Sequence, residues 1–391
     1  MKAMFGKLAA PVRARPRAIA AAGLLVAAAA AAGGWAGVQQ SAPDVALTAA
    51  RRIAVEFEPA PPPPPAGLQS RLEALAEAYG EDVGIAVTDV EAGWTAQVDG
   101  EGLYPQQSVS KLWVAVATLE AIDRGTTTLD RMVLLGPDDR SVFYQPLGRR
   151  IRNDGIPISI EALLRWAITE SDNSANDKLM RELGGADAVT TILADKGLGD
   201  LRVGAYERDL QAMIAGMSWR PEYGIDWNFQ HARAALPDGV RDAAMDAYLA
   251  NPADGASPVA IAHALAALKK GELLSPASTE VLVGLLHDTR TGPRRLKAGL
   301  PTGFTLGHKT GTGQDWRGAS VGINDVGLIT APDGRTYAVA VMMRRTSKPV
   351  GARLAFHQAV SRAVAEHWLA SRDLPADRRI AAAAGTVETG L

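Results

Sequence analysis

Apolar residues recur at three- and four-residue steps through Leu68, Leu72, Leu75 and Ala76, which predicts a helix ending near Tyr79-Gly80. Two β-rich runs follow at 83–90 and 94–98, joined by Glu91-Ala92-Gly93, and read as a strand hairpin. The next apolar block, Leu112-Trp113-Val114-Ala115-Val116-Ala117-Thr118-Leu119, has no polar face and reads as a buried helix opening near Ser108. Helical spacing then dominates at 160–170, 174–183, 187–196, 259–268 and 278–286, with Gly and Pro as punctuation. Strand patterns return at 304–309, 321–330 and 336–343, the last two separated by Pro332-Asp333-Gly334, before a helix at 351–370. Strands near both ends with helices between them predict an α/β fold. It has one antiparallel sheet of about five strands from both chain ends, flanked by helices, with an all-helical subdomain inserted at about 112–300. The cleft between sheet and subdomain is the default site.

The two ends follow other rules. Lys2, Lys7, Arg13, Arg15 and Arg17 precede an uncharged, Ala- and Gly-rich run at 18–38, so residues 1–38 read as a signal peptide or an inner-membrane anchor. A stiff Pro-rich linker at 39–67 contains Pro61-Pro62-Pro63-Pro64-Pro65. The catalytic domain is then expected at 68–371 and a disordered tail at 372–391, in a periplasmic or secreted protein.

Composition narrows the chemistry. With 391 residues, 47% hydrophobic and 21% charged, the chain can bury a large core. A net charge of −2 leaves no broad basic field, so nucleic acid is not an expected partner. The absence of cysteine excludes disulfides, zinc-thiolate sites and thiol nucleophiles. No two of the six histidines stand at the i, i+4 spacing of a helical metal site, so neither metal nor cofactor is expected. Nothing in the pattern demands an oligomer, and a monomer is expected.

Among the serines, Ser108 alone has a lysine three places on, Lys111, which a helix start would bring to the same face. A hydroxyl needs such an adjacent base to act as a nucleophile near neutral pH. Ser171-Asp172-Asn173 follows, then Glu207-Arg208-Asp209-Leu210-Gln211, then Lys309-Thr310-Gly311-Thr312-Gly313 at a strand end. Taken singly, these read as a surface pair, a helix cap, a solvated loop and an ordinary strand end.

In this order the motifs Ser-x-x-Lys, Ser-Asp-Asn and Lys-Thr-Gly form the signature of class A β-lactamases and penicillin-binding proteins, a superfamily the chain resembles over about 68–369. The lead-in at 291–301 and the Glu-x-x-Leu form of the 207–211 loop are similar to class A. The resemblance implies the following roles. Ser108 attacks a lactam carbonyl, and Lys111, or Glu207 through a water, accepts its proton. Backbone N–H groups of Ser108 and Thr312 hold the oxyanion. Ser171 relays a proton to the lactam nitrogen, Asn173 bonds the substrate's side-chain amide, and Lys309, Thr310, Gly311 and Thr312 receive its carboxylate. Glu207, with Gln211 as second anchor, holds the deacylating water.

Three departures stand out. Gln211 replaces the usual Asn, which makes the water's second anchor one methylene longer. The Ser171-to-Lys309 distance exceeds the class A spacing, with the excess at 213–258. That insertion, rich in aromatics, either rims the cleft or, as preferred on pattern, decorates the surface around its own small core. Asn324-Asp325 occupies the strand where many class A enzymes carry a carboxylate-binding Arg. The rival readings are a D,D-peptidase-like cell-wall hydrolase and a covalent penicillin sensor. Glu207 argues against the first, and the few residues ahead of the apolar run argue against the second.

Overall fold

A computed structural model describes residues 60–372; the expected leader, most of the linker and the tail beyond Arg372 lie outside the described residues. Helix α1 (Ala66–Tyr79) leads into the hairpin of β1 (Val83–Asp89) and β2 (Thr95–Val98). The two-residue β3 (Tyr104–Pro105) then delivers the chain to a 3₁₀ turn, Gln107–Ser110, and to α2 (Lys111–Asp123). Ser108 therefore sits in a 3₁₀ turn ahead of the α-helix, rather than in the helix's first turn as predicted.

Strands β4 (Met132–Leu135) and β5 (Ile156–Ser159) pair antiparallel, so the middle of the chain is not all-helical. Burial alternates along β4 while hydrophobicity does not: Met132 and Leu134 are each 58% exposed, which hid the strand from a period-two reading. Helices α3 (Ile160–Arg165, continued by a π turn to Glu170), α4 (Asn173–Glu182), α5 (Ala186–Asp195) and α6 (Glu207–Ile214) follow. Next come α7 (Asn228–Ala234) and α8 (Asp238–Ala250) of the insertion, and β6 (Gly255–Ala256), which pairs back with β3. The chain finishes through α9 (Pro258–Lys270), α10 (Pro276–His287), β7 (Thr305–Gly311), β8 (Asp315–Trp316), β9 (Ala319–Val321), β10 (Asn324–Thr330), β11 (Thr336–Met343), β12 (Arg345–Thr346) and α11 (Val350–Arg372). The strand predicted at 321–330 is thus divided at Gly322-Ile323.

The main sheet has five antiparallel strands in the order β2-β1-β11-β10-β7, two from the first part of the chain and three from the last, as predicted. Both faces are buried at the central strands β1 and β11, whose inner positions read as apolar runs. Tyr337, Val339, Val341 and Met343 pack with Ile85 and Val87 beneath α1 and α11. Ala338, Ala340 and Ala86 point the other way, toward α9 and the inserted helices. Small residues on that face let α9 approach: a Cβ on Gly84 would lie 2.7 Å from Pro258 and 2.6 Å from the Tyr104 ring. Helix α2 runs through this second core with every residue from Lys111 to Leu119 buried. Each large apolar side chain buried there contributes roughly 1.5–3 kcal/mol, so Ser108 stands at the end of a firmly held helix.

Candidate active site

The 3₁₀ turn bearing Ser108 is fixed from below. Gln107 has a left-handed backbone, φ 53°, a conformation that costs a non-glycine residue on the order of 1 kcal/mol. Buried Asp254 compensates by accepting the Gln107 N–H at 2.6 Å, while Tyr248 of α8 donates to the other Asp254 oxygen at 2.7 Å. Tyr248 also accepts from the Gln107 amide, whose oxygen accepts from Gln211 at 2.9 Å. The insertion thus supports the nucleophile's turn and links it to the 207–211 segment.

Lys111, fully buried, donates to Ser108 Oγ at 2.7 Å and to Glu207 Oε1 in a short ion pair. Buried ammonium and carboxylate groups are tolerable only when paired and hydrogen-bonded. Glu207 is held by backbone as well: buried Asp177 accepts the N–H groups of Glu207 at 2.6 Å and Arg208 at 3.3 Å, and the Ser141 hydroxyl at 2.8 Å.

Burial, reinforced by the Glu207 charge, raises the Asp177 pKa to about 7, above the ordinary carboxylate value near 4. A raised folded-state pKa favours folding fully below about pH 4, and that contribution is lost as pH rises through about 7. Asp177→Asn, which cannot ionise, is therefore expected to gain thermal stability relative to wild type between pH 5 and pH 8. The gain should be about 2–3 kcal/mol, or roughly 3–5 °C in a domain of this size. Melting curves at the two pH values measure it, and a pH-independent difference would contradict the assignment.

Ser171 adopts a left-handed backbone, φ 63°, at the end of the π turn, and this aims its hydroxyl at the Lys309 ammonium, 2.8 Å away. Asp172 caps α4 by accepting the Ala175 N–H at 2.8 Å and ties down the facing loop through the Leu147 N–H at 2.6 Å. Asn173 donates to Val142 O at 2.9 Å. Across the cleft, β7 presents Lys309, Thr310 and Gly311, with Thr312 following. Lys309 is fully buried, and burial together with the Lys111 charge pushes its pKa well below the ordinary lysine value. Gly311 must lack a side chain because a Cβ would lie 2.3 Å from Gln106 O beneath the nucleophile.

Arg295, from the lead-in, sets its guanidinium against the Lys-Thr-Gly strand. Its Nη1 donates to Gly311 O at 2.8 Å and Asn324 O at 2.5 Å, and its Nη2 to Thr312 Oγ1 at 2.6 Å. Asn324 itself is spent on structure, donating to Pro105 O and Gln106 O. Two arginines stand together in the lead-in, and only the folded chain tells Arg295 from Arg294. Asp177 and Gln314 likewise join the site only through contacts between distant segments; Gln314 donates to Gln211 O at 2.8 Å.

These groups surround a cleft of about 550 Å³ lined by Ser108, Ser171, Asn173, Glu207, Gln211 and Arg295 among others, including Thr310 and Thr312. Lys111 lies beneath it. Arg233 of the insertion reaches the same cleft. The preferred expectation of simple surface decoration is therefore corrected: the insertion has small cores, around Phe229 and around Met245 and Tyr248, and it also rims the site. No cluster of three His, Asp or Glu side chains able to hold a metal ion occurs among the described residues.

A five-stranded antiparallel sheet with helices on both faces, and a serine–lysine pair facing a Lys-Thr-Gly strand, defines the active-serine β-lactam-recognising class of hydrolases. More narrowly, the chain belongs to the beta-lactamase enzyme family, whose model matches residues 67–368. It is similar to β-lactamase VEB-1 of Pseudomonas aeruginosa, 27% identical over 282 residues that make up 72% of this chain and 83% of that protein. A β-lactamase of Streptomyces albus G is 30% identical over 288 residues, 73% of this chain and 79% of the relative. Among solved structures, the ancestral GNCA class A β-lactamase is 31% identical with a TM-score of 0.60, covering 76% of this chain and 99% of that one. The TLA-3 extended-spectrum β-lactamase shares the fold at a TM-score of 0.65 and 24% identity, covering 78% of this chain and 99% of that one.

Proposed function

We propose that the protein hydrolyses β-lactams through an acyl-enzyme on Ser108, with deacylation by a water that Glu207 activates. One observation carries the reading: Lys111 Nζ contacts both Ser108 Oγ and Glu207, which gives the serine's proton a continuous route to a carboxylate. As Oγ bonds to the lactam carbon, the proton passes to Lys111, which can hand one of its own to Glu207. The oxyanion is received by the backbone N–H groups of Ser108 and Thr312, donors that act without reorganisation. The C–N bond then breaks, and Ser171, hydrogen-bonded by Lys309, protonates the nitrogen and is itself reprotonated by the proton taken from Ser108, which returns Glu207 to its carboxylate form before deacylation. Lys309, Thr310, Thr312 and Arg295 receive the substrate carboxylate, a task suited to cations flanked by hydroxyls. Asn173 takes the side-chain amide.

Glu207 then removes a proton from water held with Gln211, the acyl bond is cleaved, and Ser108 regains its proton. The names of the relatives support the substrate class. Export through the 1–38 leader and action as a periplasmic or secreted monomer complete the reading; no helix among the described residues is long and apolar enough to cross a membrane. Chromogenic cephalosporin offered in large excess to the purified protein is expected to be consumed over many turnovers. One equivalent of product followed by arrest would overturn hydrolysis and favour a sensor or peptidase.

A further inference from the structure

Arg233 sits on the short helix α7 of the insertion, and its guanidinium enters the cleft that holds Ser108. Its protein contacts are few. Nη1 donates to Gln314 Oε1 at 2.8 Å, and the guanidinium lies 5.4 Å from the centroid of the Phe143 ring. It forms no ion pair with any carboxylate of the described residues. Asp315, the acidic group nearest in influence, lines the same cleft and is bonded by Ser320. A second guanidinium, Arg241, lies 3.5 Å above Trp316 and adds positive potential at Arg233. Burial and Arg241 lower the Arg233 pKa, and the Asp315 charge offsets them only in part.

A guanidinium has five N–H donors in a planar fork matched to a carboxylate. Here only Nη1 of that fork makes a protein hydrogen bond among the described residues, and Arg233 lines the cleft. The cleft already has one anion-receiving end at Lys309, Thr310, Thr312 and Arg295. Arg233 lies with Gln211, Gln314 and Phe143, on the wall built from the 207–211 segment and the insertion. Asn173 lines the same cleft as this wall.

Building on the β-lactamase reading, we infer that Arg233 is a specificity residue that recognises a second anionic group, a carboxylate on the acyl side chain of the β-lactam. The insertion then confers a preference for dianionic over monoanionic substrates by adding one charge-assisted, bidentate contact remote from the reacting bond. No bond is made or broken at Arg233, so the gain falls on substrate binding.

The test uses the folded enzyme and two cephalosporins that differ only in the side chain, one ending in a free carboxylate and the other in its methyl ester. In wild type, kcat/KM is expected to favour the carboxylate, and that preference is expected to shrink as salt rises from about 20 to about 500 mM. In Arg233→Gln the carboxylate-to-ester ratio should fall about tenfold, mainly through KM, with Arg233→Lys intermediate. If Arg233 only latches α7 to Gln314, both substrates lose rate together and the ratio stays fixed, which overturns the inference. Should Arg233→Gln fail to fold, the wild-type salt series decides: parallel slopes for the two substrates overturn it. Hydrolysis of the ester by wild type with no carboxylate preference sinks the specificity role alone, whereas hydrolysis of neither sinks the β-lactamase reading beneath it.

Discussion

Ser108→Ala is expected to reduce cephalosporin hydrolysis by about 10⁴-fold or more, because no other hydroxyl can take its place. Ser171 is held by Lys309 across the cleft, and Ser110 donates to Gln107 O and is buried away from the cavity. Lys111 would keep its Glu207 partner in the variant, so the site should remain assembled and still bind substrate. Progress curves at high enzyme concentration, with binding followed by competition against a second substrate, check both parts. Residual turnover within tenfold of wild type would mean that the acyl group is carried elsewhere.

Glu207→Gln carries the second large effect, and it separates the two halves of the cycle. Deacylation needs a base beside the ester, and general-base catalysis is worth about 10²–10⁴-fold. The substituted amide would keep the side-chain length and could still bond Lys111 and Gln211, so steady-state turnover should fall within that range while the first equivalent of product appears as a burst. A variant that slows without a burst would place Glu207 in acylation alone. Gln211 bears on the same step: its amide is shared between Gln107 at 2.9 Å and Glu207 at 3.4 Å. Its extra methylene is thus taken up by reaching the nucleophile's own turn.

Much of this was legible along the chain. The central strands declared themselves because both of their faces are buried and leave apolar runs, with β11 bounded at Thr336 and Met343 as the pattern predicts. The motif residues were readable because their chemistry is local: Ser108 and Lys111 lie within one turn, and Lys309, Thr310 and Gly311 are consecutive. What could not be read depends on contacts between segments far apart in sequence. Asp177 acts on Glu207 from another helix, and Arg295 approaches the Lys-Thr-Gly strand from a lead-in containing two arginines. Tyr248 reaches Gln107 from within the insertion. Neither residue type nor spacing announces such meetings. The β4–β5 pair escaped for a different reason, since exposed Met132 and Leu134 erase the alternation that marks a half-buried strand.

The central claim is a covalent intermediate on Ser108 whose release depends on Glu207. The most direct measurement mixes Glu207→Gln protein with a cephalosporin for seconds to minutes, quenches in acid, and determines intact mass and the modified peptide. The expected result is one acyl group per chain on the peptide containing Ser108, while wild type under the same conditions shows a much smaller fraction. An unmodified Glu207→Gln protein that still turns substrate over, or an adduct on any other residue, would contradict the account.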